Sequence, residues 1–259
     1  MGRSPLRVAE VGTLVHPAAV ITLYTMPGTN ELESMSPFCM KVEVYLKLQH
    51  LPYKAIGGDP RKAPKGKCPF VEVDGTTVAD SSAILAYLEK RAEAPLDQGL
   101  DAAGRAQAHL LRRLFEESLY WPLLWSRWAD DEGWTELRPH IEAVVPAVVR
   151  WFVPGMIRKN VVGSTVAQGT GRHTREEIYA LGKADIEAIA AALGDKPYLL
   201  GDQLRTIDVT GYAFLAQILL WKKPSPLTEA ARAFPTLEAY VKRIGARLKQ
   251  GSVSGGKPS

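Results

Sequence analysis

At 259 residues, with 46% hydrophobic and 23% charged residues, the chain has the length and composition of a soluble globular protein with room for two domains and sizeable cores. Its net charge of +4 is mild and its Lys and Arg residues are scattered, which argues against nucleic acid as a partner. Cys39 and Cys68 form neither a disulfide framework nor a metal-ligand spacing, the histidines are dispersed, and the longest apolar run, Val209 to Trp221, falls short of the about 20 residues that span a membrane. No metal and no integral membrane segment are therefore expected. Arg3, Arg7, Glu10 and His16 interrupt what would have to be the apolar core of a signal peptide, and a reduced, cytoplasmic setting fits.

Residues 1–18 read as a loosely held arm. Ile21 to Met26 is apolar and β-branched, as a buried strand is. A long loop, Pro27 to Met35, leads to Ser36-Pro37-Phe38-Cys39. Ser36 has the chemistry of a helix N-cap, and Pro37 suits the first helical position, where its missing N–H is not needed. Phe38, Val42, Tyr45, Leu46 and Gln49 follow at helical spacing, with Lys41, Glu43 and Lys47 off that stripe. A second strand, Tyr53 to Ile56, implies a parallel pair with the first. Beyond a basic Gly/Pro-rich loop, Phe70 to Val73 and Thr76 to Ala79 flank Asp74-Gly75, a two-residue hairpin signal. Asp80 or Ser81 then caps a second helix through Ile84, Tyr87 and Leu88.

Glu93 to Leu100 reads as a linker, and the rest as helical. A long helix begins at Asp101 and bends or ends near Pro122, with Trp121, Trp125 and Trp128 at i, i+4, i+7. Ile141 to Arg158 is a further helical stretch, interrupted at Pro146 and Pro154. Thr174 to Glu177 is a capping box that opens a helix to Leu193. Thr206 or Asp208 caps a buried helix, Val209 to Trp221. Phe234-Pro235 starts a last amphipathic helix, and the tail 251–259 is Gly/Ser-rich and flexible.

The order β-α-β, β-hairpin, α is the thioredoxin-like arrangement, here followed by an all-α half. Together these resemble the glutathione S-transferase fold, with a thioredoxin-like domain over 19–92 and an all-helical bundle domain over 100–250. Ala63-Pro64-Lys65-Gly66-Lys67-Cys68-Pro69 is similar to that family's loop before the third strand, which carries a cis-proline. Asp80-Ser81-Ser82-Ala83-Ile84 resembles its Glu-Ser-x-Ala-Ile turn, and Gly201-Asp202 with Asp208 resembles the capping segment of its core helix. Ser36-Pro37-Phe38-Cys39-x-Lys41-Val42-Glu43, Leu119-Tyr120-Trp121, Arg127-Trp128 and Gly171-Arg172-His173-Thr174-Arg175-Glu176-Glu177-Ile178 narrow the resemblance to the branch of metaxin and the failed-axon-connections proteins.

The resemblance implies glutathione as co-substrate. Asp80 would pair with the γ-glutamyl ammonium, and Ser81, at a helix N-terminus, would bind the γ-glutamyl carboxylate. The backbone of Cys68, next to Pro69, would pair with the cysteinyl amide, and Lys67 would meet the glycine carboxylate. Ser36 would donate its hydroxyl to the sulfur. Phe38, Tyr120 and Trp121 would form the pocket for a small hydrophobic electrophile. Arg172 and His173 offer an anion site, or only a loop before a capped helix. Cys39, one turn into the helix, is expected to be buried and inert, because serine stands where a Cys-x-x-Cys oxidoreductase has its nucleophile. A homodimer is implied by the same analogy. Two other functions stay open: a non-catalytic interaction protein of metaxin type, and a glutathione-dependent reductase or lyase in which Cys68 takes part.

Overall fold

The computed structural model describes residues 21–251; the arm at 1–18 and the tail beyond Gly251 lie outside the described residues. Four strands form one mixed sheet in the order β2-β1-β3-β4: β1 Ile21–Thr25, β2 Tyr53–Gly57, β3 Phe70–Val73 and β4 Thr76–Ala79. The β1–β2 pair is parallel, with Leu23 opposite Ala55, and the other two pairs are antiparallel. Ile21, Leu23, Val71 and Val73 bury the apolar face that their alternation announces. Asp74 (φ 49°) and Gly75 (φ 73°) turn the β3–β4 hairpin with two positive φ values, which suits this Asp-Gly pair.

Helix α1, Pro37–Leu48, lies between β1 and β2 in sequence, and α2, Ser81–Glu89, follows β4. Lys41 does not lie off the buried stripe of α1: it is 1% exposed, because Glu116 and Ser82 meet its ammonium. The stretch after α2, read as a linker, is tied down at several points. Glu89 accepts the N–H groups of Leu96 and Asp97, Asp97 in turn accepts from the Thr206 N–H and hydroxyl, and Arg205 donates to the carbonyls of Leu96 and Gln98.

The helical part holds α3 Ala102–Arg113, a π-helical turn Leu114–Leu119, α4 Tyr120–Trp128, α5 Asp131–Val144, α6 Val153–Gln168, α7 Arg175–Leu193, α8 Thr206–Leu219, α9 Pro226–Arg232 and α10 Pro235–Gly251. Of the two expectations for Pro122, an end is not what the structure shows: the helix from Ala102 runs on to Trp128, and that proline follows a π turn in which the i→i−4 ladder is already interrupted. Pro154 starts α6 instead of interrupting a helix, and Pro139 lies inside α5, which begins ten residues before the expected Ile141.

Helix α8 is the centre of the molecule. Every residue from Ile207 to Leu219 is buried, which is why this helix is apolar on nearly all sides, with Asp208, Thr210 and Gln217 as buried polar exceptions. Arg205 is its N-cap residue; Asp208, in the first turn, accepts the N–H groups of Leu199 and Arg205 at 2.8 Å each and the Tyr240 hydroxyl at 3.1 Å. Because α8 packs on α1, sheet and helices share one continuous core.

Candidate active site

The site is assembled from two helix starts, one loop, and the π turn that leads into α4. Ser36 caps α1: its Oγ accepts the Cys39 N–H at 3.4 Å, with Pro37 at the first helical position. The preceding loop is held from both sides. Ser34 Oγ donates to the Met26 carbonyl at 2.9 Å and accepts the Ser36 N–H at 3.3 Å. From the helical part, Gln217 Nε2 donates to the Ser34 carbonyl at 2.7 Å and Arg127 donates to the Met35 carbonyl at 3.3 Å. Arg127 is buried, and its other acceptors are the side-chain and backbone oxygens of Gln217, at 2.5 and 2.6 Å, while its guanidinium lies 3.9 Å from the Trp221 ring centre. Burial pulls its pKa down to about 9, so it remains charged at neutral pH.

The Cys68–Pro69 peptide is cis, as the loop's resemblance implies. The Pro69 carbonyl accepts the Asp80 N–H, which joins this loop to the start of α2. A Cβ at position 58 would come within 2.3 Å of the Cys68 sulfur, so glycine there makes room for the thiol. Burial, then the neighbouring Cys39 and Asp59, push the Cys68 thiol up to about 11. Burial also raises Cys39, against hydrogen bonds from the Met26 backbone, Ser36, Thr25 and Ser34. Both cysteines are free, and neither is a thiolate at neutral pH.

Asp80 holds a backbone conformation (φ 88°, ψ 127°) that side-chain-bearing residues rarely adopt. Such positions persist where the surroundings over-determine them, and functional sites collect them. Its Oδ1 accepts the Ser82 N–H at 3.1 Å, and its Oδ2 lies 3.7 Å from Lys67 Nζ. Ser81 is buried beside it. Ser82 Oγ accepts from Lys41 Nζ at 2.8 Å and donates to Glu116 at 3.2 Å, and the Lys41–Glu116 ion pair closes the triangle at 2.6 Å.

Ser36 and Phe38, then Lys67, Cys68 and Pro69, then Asp80 and Ser81, and lastly Tyr120 and Trp121 all line a single cleft. Tyr120 sits edge-on to Phe38, with ring centres 4.9 Å apart, and Trp121 edge-on to Tyr120 at 5.2 Å. Burial pushes the Tyr120 phenol up to about 12. One wall is thus aromatic. The opposite rim carries both signs of charge, with Lys67 and the α2 N-terminus against Asp80. Glu116 and Glu117, which sequence reasoning missed, also line the cleft. They lie in the π turn, a local departure from 3.6-residue periodicity of the kind common at functional sites.

The tryptophan stripe divides. Trp121 reaches the cleft, whereas Trp125 packs edge-on to Tyr179 and Trp128 lies beside Trp134. Arg172 Nε donates to the Val166 carbonyl and His173 lies 3.4 Å from Glu177, so that loop serves the start of α7; Thr174 and Glu177 form the expected capping box.

Comparison with known proteins agrees with this architecture. The family model described as the glutathione S-transferase N-terminal domain matches residues 37–133, and that of the glutathione S-transferase C-terminal domain matches residues 182–244. The isoprene-epoxide glutathione S-transferase of Rhodococcus sp. (strain AD45) is 32% identical over 87% of this chain and 98% of its own length. Failed axon connections of Drosophila melanogaster is 31% identical over 87% of this chain, which spans only 57% of that protein, and metaxin-2 of Mus musculus is 23% identical over 86% of each. Among solved structures, the beta-etherase LigF from Sphingobium sp. strain SYK-6 has the same fold, with a TM-score of 0.64 at 19% identity, covering 91% of this chain and 99% of that one. The chain belongs to the glutathione S-transferase family.

Proposed function

We propose that the cleft binds glutathione and activates its thiol for attack on a small hydrophobic electrophile. The observation that carries this reading is the convergence of Ser36, Lys67, Cys68, Asp80 and Ser81 on one cleft whose remaining wall is Phe38, Tyr120 and Trp121. Glutathione is a zwitterion with a soft nucleophile at its middle, and the cleft offers a matching group for each part. Asp80 takes the γ-glutamyl ammonium. The α2 N-terminus at Ser81 takes the γ-glutamyl carboxylate. The backbone beside the cis-proline pairs with the cysteinyl amide. Lys67 leaves its exposed partner Asp80 for the glycine carboxylate. Ser36, whose Oγ accepts the Cys39 N–H of its own helix, turns its hydroxyl hydrogen to the sulfur.

A free thiol titrates at about 8.5, and lowering that by two units takes about 2.7 kcal/mol. One charge-assisted hydrogen bond and a helix terminus supply that amount. The similarity to an enzyme named for isoprene epoxide supports an epoxide as electrophile. The thiolate then bonds to an epoxide carbon, the C–O bond breaks, and the alkoxide takes up a proton. The raised pKa values of Cys39 and Cys68 weigh against the reductase or lyase alternative. A homodimer and a reducing, cytoplasmic setting complete the proposal, the latter supported by the two free cysteines.

A second reading is a non-catalytic interaction protein, supported by 31% identity to Failed axon connections, nearly that to the transferase. Thermal melting with and without glutathione separates the two. Saturation at about a hundred times Kd adds about 2.7 kcal/mol, roughly 5–10 °C in Tm. Under the transferase reading the wild type shifts, and Ser36→Ala keeps the shift but loses conjugation of a small epoxide. No shift at any glutathione concentration sinks the transferase reading and leaves the interaction protein.

A further inference from the structure

The most exposed apolar surface lies far in sequence from the cleft, where α5 gives way to α6. Val148 is 82% exposed and Trp151 81%, with Val144, Phe152 and Met156 between 41% and 56%. Trp151 and Phe152 touch edge to face, with ring centres 4.7 Å apart, so they form one exposed aromatic tip. Along α6, Phe152, Met156 and Lys159 fall at spacings of four and three and share a face. Only Pro154 and Thr165 of the sixteen residues of α6 are buried. An apolar patch of this kind needs an occupant.

The charge pattern selects it. Between Glu142 and Glu176 the sequence has no Asp or Glu, while it carries Arg150, Arg158, Lys159, Arg172 and Arg175. Arg158 is turned inward to the carbonyls of Trp128 and Ala129 and to Asp131, and Arg175 pairs with Asp130. Arg150, Lys159 and Arg172 have no carboxylate among the described residues; Arg150 and Arg172 donate only to the nearby carbonyls of Val145 and Val166. The exposed apolar side chains at the start of α6 are thus flanked by the uncompensated cations Arg150 and Lys159. Two copies meeting through this face would bring like charges together. An exposed Trp and Phe with flanking Lys and Arg is instead the pattern of an interfacial membrane contact.

We propose that the corner between α5 and α6 is a peripheral docking face that inserts Trp151 and Phe152 into the headgroup region of an anionic lipid surface. Arg150 and Lys159 then lie over the lipid phosphates. The helices do not cross the bilayer; none among the described residues is long and apolar enough to do so. The contact adds to the glutathione cleft and does not depend on its activity.

The test is co-sedimentation of the full chain with vesicles of phosphatidylcholine containing about one-third phosphatidylglycerol, against vesicles of phosphatidylcholine alone, with the oligomeric state followed in parallel. The wild type is expected to bind the anionic vesicles and to release them as salt rises. The double variant Trp151→Ser, Phe152→Ser should bind at least about tenfold more weakly. Lys159→Glu should weaken binding roughly fivefold or more. These side chains are exposed, so a Tm equal to the wild type's is expected. A wild type that stays in the supernatant with both vesicles overturns the proposal, as does a double variant that binds as the wild type does. Loss of a dimer in the double variant without vesicle binding by the wild type overturns it in favour of a second copy as occupant.

Discussion

Lys41 and Arg127 are both buried cations, and both tie the helical part to the thiol site, yet they are stabilised by different physics. Lys41 meets a carboxylate at 2.6 Å and a hydroxyl at 2.8 Å, and through Ser82 it braces the start of α2. Arg127 has no acid partner among the described residues: its partners are the Gln217 amide and carbonyl, the Met35 carbonyl and the face of Trp221. A compact ammonium is strongly hydrated, and its transfer into the core needs a counter-charge. A planar guanidinium spreads its charge, is more weakly hydrated, and can be satisfied by neutral oxygens and a ring face. One cation therefore secures the groups proposed to bind the γ-glutamyl end, and the other secures the loop that carries Ser36.

The largest effect should come from orphaning the ammonium. Glu116→Ala leaves Lys41 buried without its carboxylate and should cost about 3–5 kcal/mol in urea unfolding. Adding Lys41→Met to that variant should recover most of the loss, since an apolar side chain of similar length fills the site. A double variant no more stable than Glu116→Ala would mean that the pair is not what burial of Lys41 depends on.

Arg127→Met should cost less, about 2–3 kcal/mol, because the groups left behind are neutral acceptors and one ring contact. Its functional signature should be larger than its stability cost suggests. Releasing the Met35 carbonyl loosens the residue before Ser36, so kcat for thiol conjugation should fall on the order of tenfold to a hundredfold while KM changes little. Arg127→Lys should not rescue it, because an ammonium cannot reproduce the fork that holds Gln217 and Met35 together. Equal losses in kcat and kcat/KM for Lys41→Met and Arg127→Met would erase the distinction drawn between the two cations.

The two cations also mark what could be read from the sequence. Ser36-Pro37, Lys67-Cys68-Pro69 and Asp80-Ser81 are local signals, each carrying its own backbone chemistry within a few residues, and the three converge on one cleft. Lys41 was legible only as a polar residue off an apolar stripe, because its partner is 75 residues away. Glu116 and Glu117 were hidden by the π turn, since 3.6-residue spacing assigns the faces wrongly wherever a turn holds an extra residue. The ties that hold the loop before Ser36 run to Arg127 and Gln217, on helices α4 and α8, and so leave no local signal. Pro154, expected to interrupt a helix, starts one, and α5 begins ten residues before the expected Ile141 and carries Pro139 inside it.

A third buried charge sharpens the contrast with a pH test. Asp208 is held mainly by backbone N–H groups, yet burial outweighs them and raises its pKa from 3.8 to about 6. Between those values the folded chain binds the proton that the unfolded chain has released. Asp208's contribution to stability is therefore full below about pH 4 and is lost as pH rises through about 6. Asp208→Asn should flatten that decline. It should also lower stability by about 1–3 kcal/mol at pH 5, because an amide can offer one oxygen, and not two, to the N–H groups of Leu199 and Arg205.

The smallest stability effect should be at the residue on which the proposed chemistry depends most. Ser36→Ala removes a cap whose bond to the Cys39 N–H is long, at 3.4 Å, so the loss should sit at the low end of the capping range, about 0.5 kcal/mol. Asp80→Ala breaks a shorter cap, 3.1 Å to the Ser82 N–H, and in addition leaves alanine in a backbone conformation it resists, so it should cost more. Comparing the two helix starts in one urea series separates capping from chemistry. If Ser36→Ala is nearly as stable as the wild type but conjugates on the order of a hundredfold more slowly, the serine acts on the sulfur and not on the helix. If its rate falls only as far as its stability does, Ser36 is a cap, and the cleft has lost the group proposed to activate the thiol.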